Sequence, residues 1–253
     1  MKKRFVLFVM ALFLAPLGYA AEAELLRLHG SNTVGAQLGP ELVKGWLQAN
    51  DYRKIHAETL AEQEQKITAF SPAGGLLVVE IAAHGSSTGF KSLVAEKADI
   101  AMSSRPIKAR ELKKLASLGQ MDGPQSEFVV GLDGIAVVVH RENPLQQISK
   151  EKLRQLFSGE IRNWSQLGGK PGPIQVYARD NNSGTFDTFK SLVLGKKRPL
   201  ISNARRFESN ADLSDAVAVD QSGIGFVGLP YIRQSKALAV SDDIPLAISP
   251  DRF

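Results

Sequence analysis

The 253-residue sequence contains no cysteine, which excludes disulfide bonds and lipid attachment through a cysteine. Its four histidines are scattered, and no metal-ligand spacing is present, so neither a metal site nor a metal-dependent phosphatase is expected. Aromatic residues make up only 7% of the chain, and long basic blocks are missing, which argues against nucleic acid as a partner. A Walker-type nucleotide loop is also absent.

The sequence also lacks any apolar run long enough to span a bilayer. Residues 1–20 combine a basic start, a short apolar run and small residues at Gly18 and Ala20, a pattern typical of a secretory signal peptide. Cleavage is expected after Ala20 or Ala23, with export to the periplasm or, alternatively, secretion. Removal of residues 1–20 takes away three basic residues and no acidic one, which lowers the formal charge from +5 to +2.

A strand, a polar turn and a helix are predicted in succession over residues 174–194. Residues 174–178 are apolar, 179–183 are polar, and apolar residues then recur at helical spacing from Thr185. A helix start presents unpaired N–H groups, and Ser183 and Thr185 add hydroxyls. Gly184 permits close approach of the backbone, and Arg179 could grip two oxygens of a tetrahedral anion. The turn is therefore a candidate oxyanion site, although a plain helix cap has the same residue types.

Repetition of this pattern favours the binding interpretation. Residues 25–29 run into Gly-Ser-Asn-Thr33, and residues 76–83 run into His84-Gly-Ser86-Ser-Thr-Gly89, each followed by a helical pattern. Alternating short strands and helices predict an α/β fold with mainly parallel sheets. Ligands of such sheets bind outside the carboxyl ends of the strands, where these turns lie.

Four local predictions accompany this fold. Residues Leu38, Leu42, Val43 and Trp46 are expected to form a buried helical stripe. Two strands are expected over 128–132 and 134–140. His84 could be catalytic, but a histidine hydrogen-bonded beside a turn is the favoured interpretation. Arg105 follows a short strand and two serines, and it is either a second anion ligand or part of a salt bridge.

A serine hydrolase is the main alternative from a different functional class. The run Gly85-Ser-Ser87-Thr-Gly89 fits the Gly-x-Ser-x-Gly nucleophile elbow with Ser87 in the middle, and all four histidines are candidate bases. This interpretation leaves Arg179 and the other two turns without a role, so a non-catalytic binding protein is preferred.

Six segments, taken together, resemble one known family. They are Gly30-Ser-Asn-Thr33, Gly85-Ser-Ser-Thr-Gly89, Ala98-Asp-Ile-Ala-Met-Ser-Ser-Arg-Pro106, Phe157-Ser-Gly-Glu-Ile-Arg-Asn-Trp164, Arg179-Asp-Asn-Asn-Ser-Gly-Thr185 and Gly223-Ile-Gly-Phe226. In this order they are similar to the phosphate-specific periplasmic solute-binding proteins of ABC transporters. A finer resemblance is to the subgroup often fused to an outer-membrane-protein-A-like domain.

The resemblance implies a two-lobed, hinged fold of type II that closes on one phosphate, without a cofactor. Lobe one would contain residues 24–130 and 225–253, and lobe two residues 131–224. The implied phosphate ligands are Thr33, Val34, Ser86, Ser104, Arg105, Arg179, Ser183, Gly184 and Thr185. The implied partners are phosphate or a similar oxyanion and a transporter permease, with the protein itself a monomer.

Ser104 departs from the pattern of the family. The best-known members carry an aspartate there, which accepts the proton of a protonated phosphate. A serine hydroxyl can donate as well as accept, so sulfate, arsenate or a phosphate ester stays open as a ligand. A sensing role, or a surface-attachment scaffold that has lost transport, is also left open.

Overall fold

A computed structural model describes residues 23–242 of the chain. The predicted signal peptide, residues 1–20, therefore lies outside the described residues, as does the segment 243–253. Of the two predicted cleavage positions, Ala23 is within the described residues and Ala20 is not. No helix within residues 23–242 is long and apolar enough to cross a membrane.

The first half of the described chain builds a five-stranded sheet with its helices, called lobe one here. Its elements are β1 (Glu24–Gly30), α1 (Asn32–Gly35), α2 (Leu38–Ala49), β2 (Arg53–Ala61), β3 (Glu64–Phe70), β4 (Leu76–Ala82), α3 (Ser86–Val94), β5 (Ile100–Met102) and α4 (Ala109–Leu115). The strand order is β2-β3-β4-β1-β5. Strands β4, β1 and β5 are parallel, so the turns that follow them lie at one edge of the sheet.

The second half builds a six-stranded sheet, called lobe two here. Its elements are β6 (Ile135–Val139), β7 (Gln147–Ser149), α5 (Lys150–Ser158), β8 (Gln175–Arg179), α6 (Gly184–Phe189), β9 (Arg205–Phe207), α7 (Asn210–Val219), β10 (Gly223–Gly228) and β11 (Lys236–Ser241). The strand order is β7-β11-β6-β10-β8-β9. Strands β8 and β9 are parallel, so the starts of α6 and α7 lie side by side.

The α/β class and the two-lobed architecture are confirmed, and five of the nine pairings among the described strands are parallel, but both sheets are mixed. In lobe one, β2 and β3 form an antiparallel hairpin and β3 pairs antiparallel with β4. In lobe two, β6 pairs antiparallel with both β10 and β11. In lobe one, short connections between β2, β3 and β4 reverse the chain, whereas parallel pairs need a longer crossover. In lobe two, the antiparallel partners of β6 come from much later in the sequence.

The boundary implied for the second lobe also differs from the structure. Residues 225–253 were expected to return to lobe one, yet β10 and β11 pair with β6 inside the six-stranded sheet. Residues 225–241 therefore lie in lobe two.

The core of lobe two explains how its helices are held in place. Phe189 of α6 stacks on Phe226 of β10 with ring centroids 3.9 Å apart, and Phe157 of α5 meets Phe189 edge-on at 4.7 Å. Ser149 caps α5 by accepting a hydrogen bond from the Lys152 amide. Trp164 is buried, and its indole donates to the Ser222 carbonyl at 3.1 Å. These contacts fix α6, and with it the turn before it, on the sheet.

Two local predictions are wrong. Leu38, Leu42 and Trp46 are about half exposed, and of the predicted stripe Val43 packs against the core. The helix α2 turns toward the sheet the neighbouring face, which includes Gly39 and the fully buried Leu47. The two stripes differ by one residue, and the smallness of Gly39 lets α2 approach Met102. Residues 128–132 form no strand: Leu132 is 99% exposed, and β6 begins only at Ile135.

Candidate oxyanion-binding site

The polar turns of the two lobes meet in the cleft between the sheets. The hydroxyl of Thr33, at the start of α1, lies 3.1 Å from the hydroxyl of Thr185, at the start of α6. Tyr231 donates from its hydroxyl to the Thr33 carbonyl at 3.3 Å, which ties the same turn to lobe two. Thr33 and Thr185 are 152 residues apart in sequence, so the site is assembled by the fold rather than by a local motif.

Ser86, Ser104 and Gly184 form the second part of this cluster. Ser86 Oγ accepts a hydrogen bond from the Ser104 amide at 3.1 Å and lies 3.3 Å from Ser104 Oγ. A Cβ added to Gly184 would collide with Ser86 Oγ and would lie 2.6 Å from Ser104 Oγ. Gly184 therefore lets the α6 turn of lobe two approach the serines of lobe one, as its position in the sequence predicted.

Asp180 shapes the turn that follows β8. Its Oδ1 accepts hydrogen bonds from the amides of Asn182 and Ser183 at 3.0 and 2.9 Å. Ser183 Oγ then caps α6 by accepting from the Phe186 amide at 3.2 Å, so its O–H stays available as a donor. Ser183 is thus a helix cap, and this role is compatible with anion binding by the same hydroxyl.

Arg179 ends β8 and is 1% exposed. Its Nε donates to the Phe207 carbonyl at 3.3 Å, and its Nη2 donates to the Glu208 carbonyl. Among residues 23–242, its buried Nη1 has no hydrogen-bond partner, and no carboxylate accepts a hydrogen bond from the guanidinium. Burial lowers the pKa of Arg179 to about 10, so the group stays charged at neutral pH. An unpaired donor on a buried cation costs free energy until an acceptor with negative charge binds it.

Tyr231, which donates to the Thr33 carbonyl, is influenced by the charges of Arg179 and Asp133. Burial raises the pKa of Tyr231, while the charge of Arg179 opposes the rise and that of Asp133 adds to it. Asp133 Oδ2 lies 3.0 Å from the position that a Cβ on Gly228 would take, and Thr33 Cγ2 lies 3.3 Å from the same position. Gly228 therefore lets Asp133 and the Thr33 turn approach the same point of the backbone.

The structure does not support Arg105 as an anion ligand, because its donors are already used. Nη1 and Nη2 contact both carboxylate oxygens of Glu111 at 2.8 and 2.7 Å, and Nε donates to Asp187 at 2.8 Å. The remaining two N–H groups bond to the Pro106 carbonyl and to Ser87 Oγ. Of the two interpretations of Arg105, the salt bridge is the one observed. Because Asp187 lies in α6 of lobe two, the ion pair between Arg105 and Asp187 connects the two lobes.

Val34 lies in the first turn of α1, where backbone amides lack intrahelical acceptors. Its N–H is therefore a possible donor next to Thr33, and its assignment as a ligand stays a prediction. The same holds for the other predicted ligands, Thr33, Ser86, Ser104, Arg179, Ser183, Gly184 and Thr185, which the structure brings to the cleft.

Asn32 and Asn210 support the site but were missed from the sequence. Asn32 Oδ1 accepts from both the amide and the side chain of Asn210 at 3.0 Å, and Asn210 Nδ2 also reaches Thr33 Oγ1 at 3.1 Å. Asn210 opens α7, directly after β9 and the capping residue Ser209. A fourth strand–turn–helix repeat at residues 205–219 could have been recognised, but three-residue β9 gives almost no strand signal.

The histidines do not form the catalytic arrangement that a hydrolase needs. Ser87 Oγ accepts a hydrogen bond from Arg105 at 3.0 Å, and no histidine within residues 23–242 bonds to it. His84 instead lies hydrogen-bonded beside its turn, as favoured from the sequence. Within the same residues, no group of three His, Asp or Glu side chains could hold a metal ion.

The fold and the cleft are those of a two-lobed binding protein, and the chain belongs to the PBP superfamily, whose domain matches residues 52–251. It is 31% identical to Protein SphX of Synechococcus elongatus over 204 residues, which cover 77% of this chain and 58% of the relative. It is 30% identical to the phosphate-binding protein PstS of Staphylococcus saprophyticus, over 60% of this chain and 47% of that one. The chain thus spans about half the length of the curated relatives it matches.

Two solved structures have a similar fold. One, from Clostridium perfringens, is assigned as a phosphate ABC transporter substrate-binding protein and contains bound phosphate. It is 25% identical, with a TM-score of 0.66 and coverage of 87% of this chain and 76% of the other. The other is an ABC-type phosphate transport receptor from Vibrio cholerae, with 25% identity, a TM-score of 0.57 and coverage of 85% and 76%.

Proposed function

We propose that this chain binds inorganic phosphate in the cleft and delivers it to an ABC importer. The observation that carries the proposal is Arg179, a buried and charged guanidinium with an unpaired donor at the end of the strand that leads into the α6 turn. The names of the similar proteins, which include phosphate-binding and phosphate-transport proteins, supply the choice of phosphate among oxyanions.

The donors are sufficient for micromolar binding. The hydroxyls of Thr33, Ser86, Ser104, Ser183 and Thr185 are candidate donors, beside Arg179 Nη1 and the amides of Val34 and Gly184. A micromolar dissociation constant requires about 8 kcal/mol. Hydrogen bonds to charged groups contribute roughly 1.5–3 kcal/mol each, so several of them reach this value after the cost of ordering both partners. Lobe closure strengthens each contact because it removes water from the cleft.

Discrimination against sulfate requires an acceptor, because phosphate carries a proton near neutral pH and sulfate carries none. Ser104 can accept that proton but can equally donate. Asp133 is the second candidate: its Oδ1 accepts from the Gly134 amide, and its Oδ2 lies toward the Thr33 side of Gly228. A carboxylate only accepts when ionised, so Asp133 would repel sulfate and favour a protonated phosphate. Asp133 is thus our proposed source of this discrimination in place of an aspartate at position 104.

The wider role follows from the same resemblance. Export to the periplasm through residues 1–20, partnership with a permease, a monomeric state and the absence of catalysis are parts of the proposal. We also propose residues 24–130 as lobe one and residues 131–242 as lobe two.

Calorimetric titration of refolded protein tests the proposal, because refolding removes ligand carried through purification. We expect phosphate to bind one-to-one in the micromolar range or tighter, and sulfate to bind at least about 100-fold more weakly, a difference of about 2.7 kcal/mol. Equal affinity for both anions would show a general oxyanion receptor. Binding of neither would reject the proposal and return attention to a scaffold or an ester hydrolase.

A further inference from the structure

His84 contacts a carboxylate through each of its ring nitrogens, and one of these contacts connects the two lobes. Its Nδ1 lies 2.6 Å from Glu208 Oε1, and its Nε2 lies 3.0 Å from Glu64 Oε1. Glu64 belongs to β3 of lobe one, whereas Glu208 precedes α7 of lobe two. His84 follows β4 and therefore belongs to lobe one. Only the contact with Glu208 crosses the cleft.

The bridge with Glu64 and Glu208 requires a charged ring. Neutral imidazole has one N–H donor, whereas imidazolium has two, and an ionised carboxylate can only accept. Burial alone would lower the pKa of His84, but the hydrogen bonds to Glu64 and Glu208 outweigh it and raise that pKa above its ordinary value. The geometry and the electrostatics therefore agree on a protonated ring in the closed arrangement.

Glu208 also contacts the cation of the binding site. Its backbone carbonyl accepts from Arg179 Nη2, while its carboxylate accepts from His84. Glu208 thus links Arg179, which is expected to bind the anion, to His84, which is expected to bind the proton.

We propose that His84 and Glu208 are positioning residues that couple closure of the lobes around the bound anion to uptake of one proton. This inference rests on the proposed binding function and adds a pH dependence to it. The proton binds the His84 ring, and the imidazolium then donates to Glu208 only when the lobes are closed. Neither residue needs to touch the anion.

Other charged groups face this bridge, and none supplies the same coupling. His29 of β1 interacts electrostatically with His84. Burial lowers the pKa of His29, and the positive charge of Arg27 lowers it further. On the Glu208 side, Arg179 and Asp180 at the end of β8 are opposite in sign. Burial raises the pKa of Asp180, partly offset by Arg179.

The sign of the pH effect follows from which partner moves. Opening the cleft removes Glu208 from His84 and leaves Glu64 in place, so the pKa of His84 is higher in the closed form than in the open form. The stabilisation of the closed form is fully present below the open-form pKa, and it is lost as the pH rises through the raised closed-form pKa. Anion affinity should therefore fall with rising pH, by at most about tenfold per pH unit for one proton.

The experiment compares phosphate dissociation constants by calorimetry from pH 5.5 to 8.5 for the wild type, Glu208→Gln, His84→Gln and Glu64→Gln. Phosphate itself ionises in this range, so the ratio of variant to wild-type dissociation constants is read at each pH. For Glu208→Gln and His84→Gln, we expect this ratio to fall from about 10 at low pH to about 1 at high pH. Glu208→Gln keeps the backbone carbonyl that accepts from Arg179.

Glu64→Gln is the matched control, since it removes one carboxylate from the same histidine without removing a cross-lobe contact. We expect it to keep the wild-type slope, with the midpoint displaced to lower pH. A pH-independent ratio for Glu208→Gln would overturn the coupling while leaving phosphate binding intact. Failure of the wild type to bind phosphate at every pH would instead reject the proposed function on which the inference rests.

Discussion

Replacement of Arg179 with methionine is expected to weaken phosphate binding by at least about 100-fold, or about 2.7 kcal/mol. The guanidinium is the buried cation with an unpaired donor in the cleft, and methionine fills much of its volume without charge or donors. Loss of one or two charge-assisted hydrogen bonds accounts for a change of this size. Calorimetric titration of phosphate into the refolded variant measures it.

Two further variants make the Arg179 result interpretable. Arg179→Lys keeps the charge but loses the planar fork, so an intermediate loss of affinity is expected. Arg233→Met removes an exposed arginine that pairs with Asp215 outside the cleft, and it should leave phosphate affinity unchanged. Each variant is first checked for cooperative thermal unfolding, because Arg179 also donates to the Phe207 and Glu208 carbonyls. Wild-type affinity in folded Arg179→Met would refute the site.

Replacement of Gly184 with alanine is expected to weaken phosphate binding by roughly 10- to 100-fold, or about 1.4–2.7 kcal/mol. The added Cβ would collide with Ser86 Oγ and lie 3.0 Å from Ser86 Cβ, across the cleft. Rotation of the serine would relieve part of the collision, but it would break the hydrogen bond from the Ser104 amide. The lobes should therefore close less completely around the anion.

Gly45→Ala is the control for this substitution. A Cβ at Gly45 would meet nothing within 4 Å, and alanine in a helix interior is favoured over glycine by roughly 1 kcal/mol. Gly45→Ala should keep wild-type phosphate affinity. Small-angle scattering with saturating phosphate should show a less compact particle for Gly184→Ala than for Gly45→Ala. Equal compaction and equal affinity would show that close approach at Gly184 is not required.

The strand–turn–helix elements of the site were predictable because they are local. A strand, a capping turn and a helix leave a pattern within about 20 residues, as the segment around Arg179 does. Parallel strands then bring the ends of such units to one edge, and in lobe one the turns after β1 and β4 meet there, where the Gly85 amide donates to the Gly30 carbonyl at 2.6 Å. The resemblance to solute-binding proteins added the second lobe, which no local pattern specifies.

The partners of Arg105 and His84 were not predictable from spacing, because they are distant in sequence. Arg105 contacts Asp187, which is 82 residues away, and His84 contacts Glu208, which is 124 residues away. A polar residue after a strand can become a ligand, a salt bridge or a proton-binding bridge, and the choice depends on what the other lobe presents. The helix face that α2 buries likewise depends on a one-residue rotation that apolar periodicity alone does not resolve.

A crystal structure of the protein grown with phosphate tests the binding site through one distance. We predict that Arg179 Nη1 lies about 2.8 Å from a phosphate oxygen, with Thr33 and Thr185 donating their hydroxyls to the same anion. Phosphate bound elsewhere, or bound in the cleft without contact to Arg179 Nη1, would contradict the central claim that this buried cation holds the ligand.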